Sequence, residues 1–267
     1  MIYYPLGVFL DAGIRDILII TKPDEAGLFR KVLGDGSHFG ARLTYAAQPN
    51  PNGLAEAFLI GEEFIGSDVA ALILGDNIFY GSDLGPMIER AASAARRENL
   101  ATVFAYQVSD PERYGVVAFD KEFKARSIEE KPKAPKSDWA VTGLYIYDRQ
   151  VCALAKQLKP SPRGELEITD LNRLYLQAGK LRVERLGRGF AWLDTGTFDS
   201  LHDAAAFVRT VEQRQGIKIA CLEEIALEKG FVTADAVEAM ALAMGNNEYA
   251  AYLLKRIKEA RHAGTDV

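Results

Sequence analysis

Over the first hundred residues, short apolar runs alternate with stretches of helical periodicity. Ile14 to Thr21 (IRDILIIT) reads as a strand, and Asp24 to Leu33, with its acidic first turn, as a helix. Leu43 to Gln48 is a second strand, and Leu54 to Ile65 carries apolar residues at helical spacing. Val69 to Leu74 is nearly continuously apolar, as a strand covered on both faces should be. Leu84 to Glu98 returns as helix and Ala101 to Val108 as strand. This alternation predicts an α/β fold: a mostly parallel open sheet with helices on both faces.

The pattern changes in the middle of the chain. Tyr114 to Asp120 and Lys124 to Glu129 read as paired short strands around a turn at Asp120-Lys121, and Ala140 to Tyr147 as another strand. Pro132, Pro135, Pro160 and Pro162 punctuate loops. From about Phe198 the chain is helix-dominated, with Leu201 to Gln215, Glu223 to Glu228, Ala234 to Met244 and Asn247 to Ala260 as candidate helices. The expected organisation is an α/β domain over residues 1–197 with a C-terminal helical extension, 198–267, packed on it. The first residues are unusual for such a fold. Met1 to Ala12 reads as an amphipathic helix, whereas a doubly wound sheet begins with a strand and a phosphate-cradling turn. Gly34 to Gly40 is glycine-rich, but it follows a helix with the wrong spacing for a phosphate loop and reads as a plain turn.

Composition narrows the function. A net charge of −5 over 267 residues offers no basic excess to neutralise a nucleic-acid backbone, although a small anionic substrate needs only a few local cations. No apolar run reaches membrane-spanning length, and the expected location is the cytoplasm. Cys152 and Cys221 lie far apart and read as small core residues, and His38, His202 and His262 have no zinc-ligand spacing.

Two aspartates stand out. Asp76 follows the apolar run Val69 to Leu74, and Asp194 follows Gly189 to Leu193. Ligands of open α/β sheets sit beyond the carboxyl ends of strands. Two carboxylates delivered there suit Mg²⁺ that also holds substrate phosphates, although Asp is also a common turn residue. Gln48, in the loop Gln48-Pro49-Asn50-Pro51-Asn52-Gly53, offers the amide donor and acceptor needed to read a pyrimidine edge, and Gly53 leaves room for a base against the backbone. In Glu129-Glu130-Lys131-Pro132, Lys131 can clamp a phosphate and Glu130 can accept hydrogen bonds from sugar hydroxyls; a solvated surface pair is the competing reading.

These segments recur as an ordered set: Gln48 to Gly53, Leu74 to Asn77, Glu112 to Gly115, Glu129 to Pro132, Val141 to Tyr145, Arg163 to Asp170, and Trp192 to Thr197. In that order the chain, from Met1 to about Ala260, resembles the bacterial glucose-1-phosphate thymidylyltransferases, sugar nucleotidyltransferases with a Rossmann-like fold that open dTDP-rhamnose synthesis. The resemblance implies Mg²⁺-dependent thymidylyl transfer from dTTP to glucose 1-phosphate in a homotetramer. It implies Gln48 and Gly53 as the base-reading pair, Asp76 and Asp194 as metal ligands, and Lys131 as the sugar-phosphate clamp. Gly115, Glu130, Val141 and Tyr145 would line the hexose and its phosphate, with Thr169 and Trp192 nearby. Arg163 and Glu165 would lie near subunit contacts and a regulatory nucleotide site. The Asp76 and Lys131 motifs are shared with relatives that use other bases, and one methyl in a pocket discriminates by only about 1–3 kcal/mol, so UTP is the alternative nucleotide.

The family opens with a strand, a loop of the type GGxGTRL and a Lys- and Pro-rich segment, and Met1 matches the end of that segment. The expectation is that the first strand and its triphosphate cradle lie outside this sequence. Residues 1–267 alone would then expose apolar strand edges at Ile17 to Ile20 and Val69 to Leu74 and would not turn over. A non-catalytic sugar-nucleotide-binding or assembly subunit is the competing class.

Overall fold

The computed structural model describes residues 1–262. The chain opens with helix α1 (Tyr3–Asp11), which buries Pro5 to Leu10, followed by β1 (Asp16–Thr21), α2 (Ala26–Leu33) and β2 (Arg42–Ala47). Residues 54–65 are helical as expected but broken into a short 3₁₀ turn, α3 (Ala57–Ile60) and α4 (Glu62–Ile65). The break falls at Gly61, the poorest helix former in the segment. Next come β3 (Ala70–Ile73), β4 (Asn77–Tyr80), α5 (Leu84–Glu98), β5 (Ala101–Gln107), β6 (Gly115–Phe119), β7 (Ala125–Glu130) and β8 (Trp139–Tyr147). The remainder is α6 (Val151–Ala155), α7 (Ile168–Gln177), β9 (Leu181–Leu186), β10 (Ala191–Asp194), α8 (Phe198–Gln215), α9 (Leu222–Glu228), α10 (Ala234–Ala243) and α11 (Glu248–His262). The sequence pattern did not yield β4, α6, α7 and β9, and Asp194 ends β10 rather than following it.

The fold is α/β, organised around β8. Strand order in the main sheet is β7-β6-β8-β5-β9, with β3 also paired to β8. Alternation along β8 divides the core. Ala140, Leu144 and Ile146 pack into a cluster with α1, α5 and α9, whereas Val141, Tyr145 and Tyr147 pack with α3, α6 and α7. Helices thus cover both faces, as period-two side chains on a fully buried strand require. The sheet is more antiparallel than the sequence alternation predicts: β8 runs antiparallel to β3, β5 and β6, and β6 to β7, while β5 and β9 are parallel. The cause is connectivity, because β6, β7 and β8 follow one another through loops without a crossover helix.

Cys152 and Cys221 are both free and buried. The C-terminal helices α10 and α11 form a small cluster around Val237, Ala241, Leu253 and Ile257, while Leu222 and Ala226 of α9 belong to the main core. Among the described residues, no helix is long and apolar enough to cross a membrane.

Among the described residues, β1 pairs only with β2, in parallel, and β3 only with β8, so each leaves an edge open. Between them lies a cleft of about 510 Å³ lined by Leu18 and Ile20 of β1, Ala70 and Leu72 of β3, and Phe58 and Ile65. Open apolar edges are templates for strand addition, so residues 1–267 should self-associate as concentration rises. Leu18→Lys, which puts a charge into the cleft, should reduce that association in sedimentation velocity runs. An unchanged distribution of species would mean that these edges do not mediate it.

Candidate active site

The pairing of β4 with β10 assembles the candidate centre. Its register sets Asp194 opposite Asn77 and Trp192 opposite Phe79, so the two aspartate motifs meet although 118 residues of sequence separate Asp76 from Asp194. Thr195 fixes the junction: its backbone N–H and its hydroxyl both donate to the carbonyl of Asp76, at 3.0 and 2.7 Å. Asp76 Oδ2 and Asp194 Oδ2 each lie 3.8 Å from the point a Cβ on Gly196 would occupy, and Asp194 Oδ1 lies 3.2 Å from it. Asp194 Oδ1 also accepts the Gly196 N–H at 3.1 Å. Two carboxylates converge on one small residue that leaves space between them.

A second group gathers where β6 and β7 meet α7. Gly115 pairs with Glu130, and a Cβ on Gly115 would stand 3.2 Å from Thr169 Oγ1, 3.5 Å from Glu130 Oε2 and 3.8 Å from Val141 Cβ. Thr169, buried in the first turn of α7, donates to Glu130 Oε2 at 2.6 Å. The helix is anchored by Asn172, which accepts from Tyr147 of β8, and by Tyr175, which donates to buried Asp148. Tyr145 is buried on β8. Burial first, then the charges of Glu130 and Asp76, push its hydroxyl well above the ordinary tyrosine range and keep it neutral. Val141, Gly143 and Tyr145 alternate along one face of β8, and Gly143 donates its N–H to Asn77 beside Asp76. Lys131 follows β7 with a left-handed φ of 40°, unusual for a non-glycine residue and common where function over-determines the backbone. Its N–H donates to the Tyr114 carbonyl at 3.0 Å, and its side chain is exposed.

Arg163 reaches into this second group. It is held bidentately by Glu167 at 2.9 Å and lies 3.6 Å from Glu165 and 3.7 Å from Glu130. The segment carrying Arg163 and Glu165 therefore lies beside Glu130. Hydrogen bonding to Glu167 and the surrounding acids hold the guanidinium firmly protonated.

The loop from Gln48 to Gly53 is organised by contacts within the chain. Gln48 Nε2 donates to Glu56 at 2.6 Å and to the Gly53 carbonyl at 3.3 Å. Gly53 has φ 101°, and a Cβ there would strike the Leu166 backbone at 2.4 Å. On that side Gly53 packs against Leu166, whose N–H donates to Asn52 O at 2.6 Å. Gly53 thus joins the loop to the segment that carries Arg163.

Three contributors carry no role in the sequence reading. Arg113 lies 3.9 Å from Asp194 while bound to Asp110 at 2.8 Å, and its guanidinium sits over the Tyr114 ring. Tyr114 packs edge-on against Trp192 at 5.0 Å. Asn77, 3% exposed, links Asp76, Trp192 and the β8 backbone. The only sequence signal for Arg113 and Asn77 is their adjacency to named motif residues. Among the described residues no three or more His, Cys, Asp or Glu side chains cluster as a metal site. A divalent ion at Asp76 and Asp194 would need further oxygens from a substrate, as Mg²⁺ sites commonly do.

Gly53→Ala tests the loop junction. The substitution meets both an unfavourable φ and the Leu166 backbone, so it should cost at least about 1–3 kcal/mol. At roughly 2–4 °C per kcal/mol for a domain of this size, a calorimetric melting midpoint should fall by several degrees.

The geometry meets independent likeness to known proteins. The nucleotidyl transferase family profile matches residues 1–211. A glucose-1-phosphate thymidylyltransferase of Neisseria meningitidis serogroup A is 59% identical over 97% of this chain and 89% of its own length. One from Xanthomonas campestris is 55% identical over 95% and 85%. A Bacillus anthracis crystal structure assigned as a glucose-1-phosphate thymidylyltransferase, in complex with sucrose, superposes with a TM-score of 0.72 at 42% identity, covering 78% of this chain and 82% of that one. The chain belongs to the nucleotidyl transferase family, and within it to the glucose-1-phosphate thymidylyltransferases.

Proposed function

We propose that the site joins glucose 1-phosphate to the thymidylyl group of dTTP, giving dTDP-glucose and pyrophosphate. What supports the reading is that Asp76 and Asp194 converge on Gly196, while one face of β8 carries both Val141, which lines the Gly115, Glu130 and Thr169 group, and Gly143, which donates to Asn77 beside Asp76. One carboxylate pair and one polar lining are connected through β8.

In this reading Glu130, Thr169 and the open face at Gly115 hold the hexose. Lys131, with Arg163 beside Glu130, receives the sugar phosphate. Asp76 and Asp194 hold Mg²⁺, which supplies positive charge against the triphosphate oxygens. Gln48 and Gly53 read the base, Gln48 exchanging for it the bonds its amide makes to Glu56 and to the Gly53 carbonyl. A sugar phosphate has a second pKa near ~6 and is largely a dianion at neutral pH, so no general base is required. Its oxygen attacks the α-phosphorus in line. The bond to the β-phosphate oxygen breaks, and pyrophosphate departs with that electron pair. The residues' contribution is alignment and charge neutralisation. The exposed apolar side chains at the start of α8, Phe198 at 94% and Leu201 at 42%, support an oligomer.

In a parent protein that carries the family's first strand and GGxGTRL-type loop ahead of Met1, Asp76→Asn and Asp194→Asn should each abolish turnover while circular dichroism and melting stay near those of that parent, because the amide keeps shape and removes charge. Near-normal rates in either variant would leave that residue as a turn former. Lys131→Ala should lower kcat/KM for glucose 1-phosphate by roughly 2–5 kcal/mol equivalent, the worth of a charged contact in a desolvated site. Calorimetric binding of dTTP should change far less; loss of dTTP binding with sugar phosphate retained would overturn the assignment.

A further inference from the structure

The carboxamide of Asn77 makes three hydrogen bonds to three separate parts of the site. Its Nδ2 donates to Asp76 Oδ1 at 2.9 Å. Its Oδ1 accepts from Trp192 Nε1 at 2.6 Å and from the backbone N–H of Gly143 at 3.0 Å. The acceptor sits against β8 so closely that a Cβ on Gly143 would stand 2.6 Å from it. Glycine at 143 is therefore required by the position of Asn77, not by a turn. Because Oδ1 is fixed by two donors, the amide cannot rotate, and Nδ2 is left facing Asp76.

That arrangement matters because Asp76 is itself exposed, at the turn between β3 and β4. An exposed aspartate samples several rotamers, and a bound ion requires one of them. Thr195 fixes the backbone of Asp76 but does not touch its carboxylate. With Oδ1 committed to Asn77, Oδ2 is the oxygen that faces Gly196 and Asp194.

We infer that Asn77 is a positioning residue, setting the Asp76 carboxylate for divalent-ion binding and tying it through Trp192 to the hexose side of the site. The inference rests on the reading of Asp76 as a metal ligand. It adds a residue that touches neither substrate nor ion and acts through the one that does.

The test compares Asn77→Ala, Trp192→Phe and Asp76→Asn with the parent. Three quantities are read: the Mg²⁺ concentration for half-maximal dTDP-glucose formation, Mn²⁺ affinity by electron paramagnetic resonance with dTTP present, and the melting midpoint. Asn77→Ala should raise the Mg²⁺ half-saturation about tenfold or more and weaken Mn²⁺ binding in parallel. Trp192→Phe removes only one of the two donors that fix the amide, so it should shift both quantities in the same direction by a smaller factor. A purely structural role would lower the melting midpoint and the amount of active protein, and neither changes a half-saturation. Unmoved metal dependence in both variants, with Asp76→Asn abolishing it, overturns the positioning role alone. Unmoved dependence in Asp76→Asn overturns the metal reading beneath it. If Asn77→Ala fails to fold, Trp192→Phe decides, because the Gly143 and Asp76 contacts of Asn77 remain available in it.

Discussion

The antiparallel pairing of β4 with β10 is the constraint on which the site depends. These strands are four residues each and form a sheet of their own, apart from the main one. So short a ribbon is marginal alone. It is held because Ile78 and Phe79 are buried, Trp192 is buried against Tyr114 and Tyr106, and Asn77 binds the backbone of β8. The register follows from that packing, since a slip of one residue would turn Trp192 out of the core and carry Asp194, two positions along on the same face, away from Asp76 with it. The placing of two carboxylates beside each other is thus a consequence of where apolar side chains are buried.

Electrostatics then limits what such a site can hold. Asp76, Asp194, Glu130, Glu165 and Glu167 bring much negative charge to a place proposed to receive two phosphorylated substrates. The cations offset it in a particular order. Arg163 is shared among Glu167, Glu165 and Glu130, and Arg113 is held chiefly by Asp110 with Asp194 further off. Neither guanidinium is free of carboxylate neighbours, whereas among the described residues Lys131 makes no ion pair within 4.0 Å and occupies a left-handed backbone position. In the proposed reading an incoming phosphate would meet Lys131 first, because the arginines would have to redistribute bonds they already make. A divalent ion held by Asp76 and Asp194 would offset the remaining repulsion, so charge, not shape, would be the property those two residues supply.

How much of this was legible in the sequence follows from the range of each interaction. Period-two and period-3.6 patterns are local, so β1, β2, β3, α5 and β8 could be read from burial periodicity alone. The direction of β8 could not, because strand direction depends on connections of unspecified path. Helix α7 was missed because polar Asn172 and Thr169 occupy its buried face; their hydrogen bonds to Tyr147 and Glu130 come from other strands. The carboxylates were legible as strand-end residues and the cluster around Gly115 as an ordered motif set. The loop at Gly53 was read as room for a ligand, whereas its glycine answers to the Leu166 backbone more than a hundred residues away.

Asn77 marks the limit of such reading most sharply. Beside an aspartate and before an apolar run, an asparagine is ordinarily a turn former. Nothing local says that its side chain points inward to an indole and a strand. Yet buried amides are retained only where their donors and acceptors are satisfied, and this one is satisfied by three elements at once. Each of those bonds restricts the other two: moving Trp192 releases the amide, and releasing the amide frees Asp76. Precision at an exposed carboxylate is therefore maintained from beneath, by a buried group whose own orientation is fixed by the core.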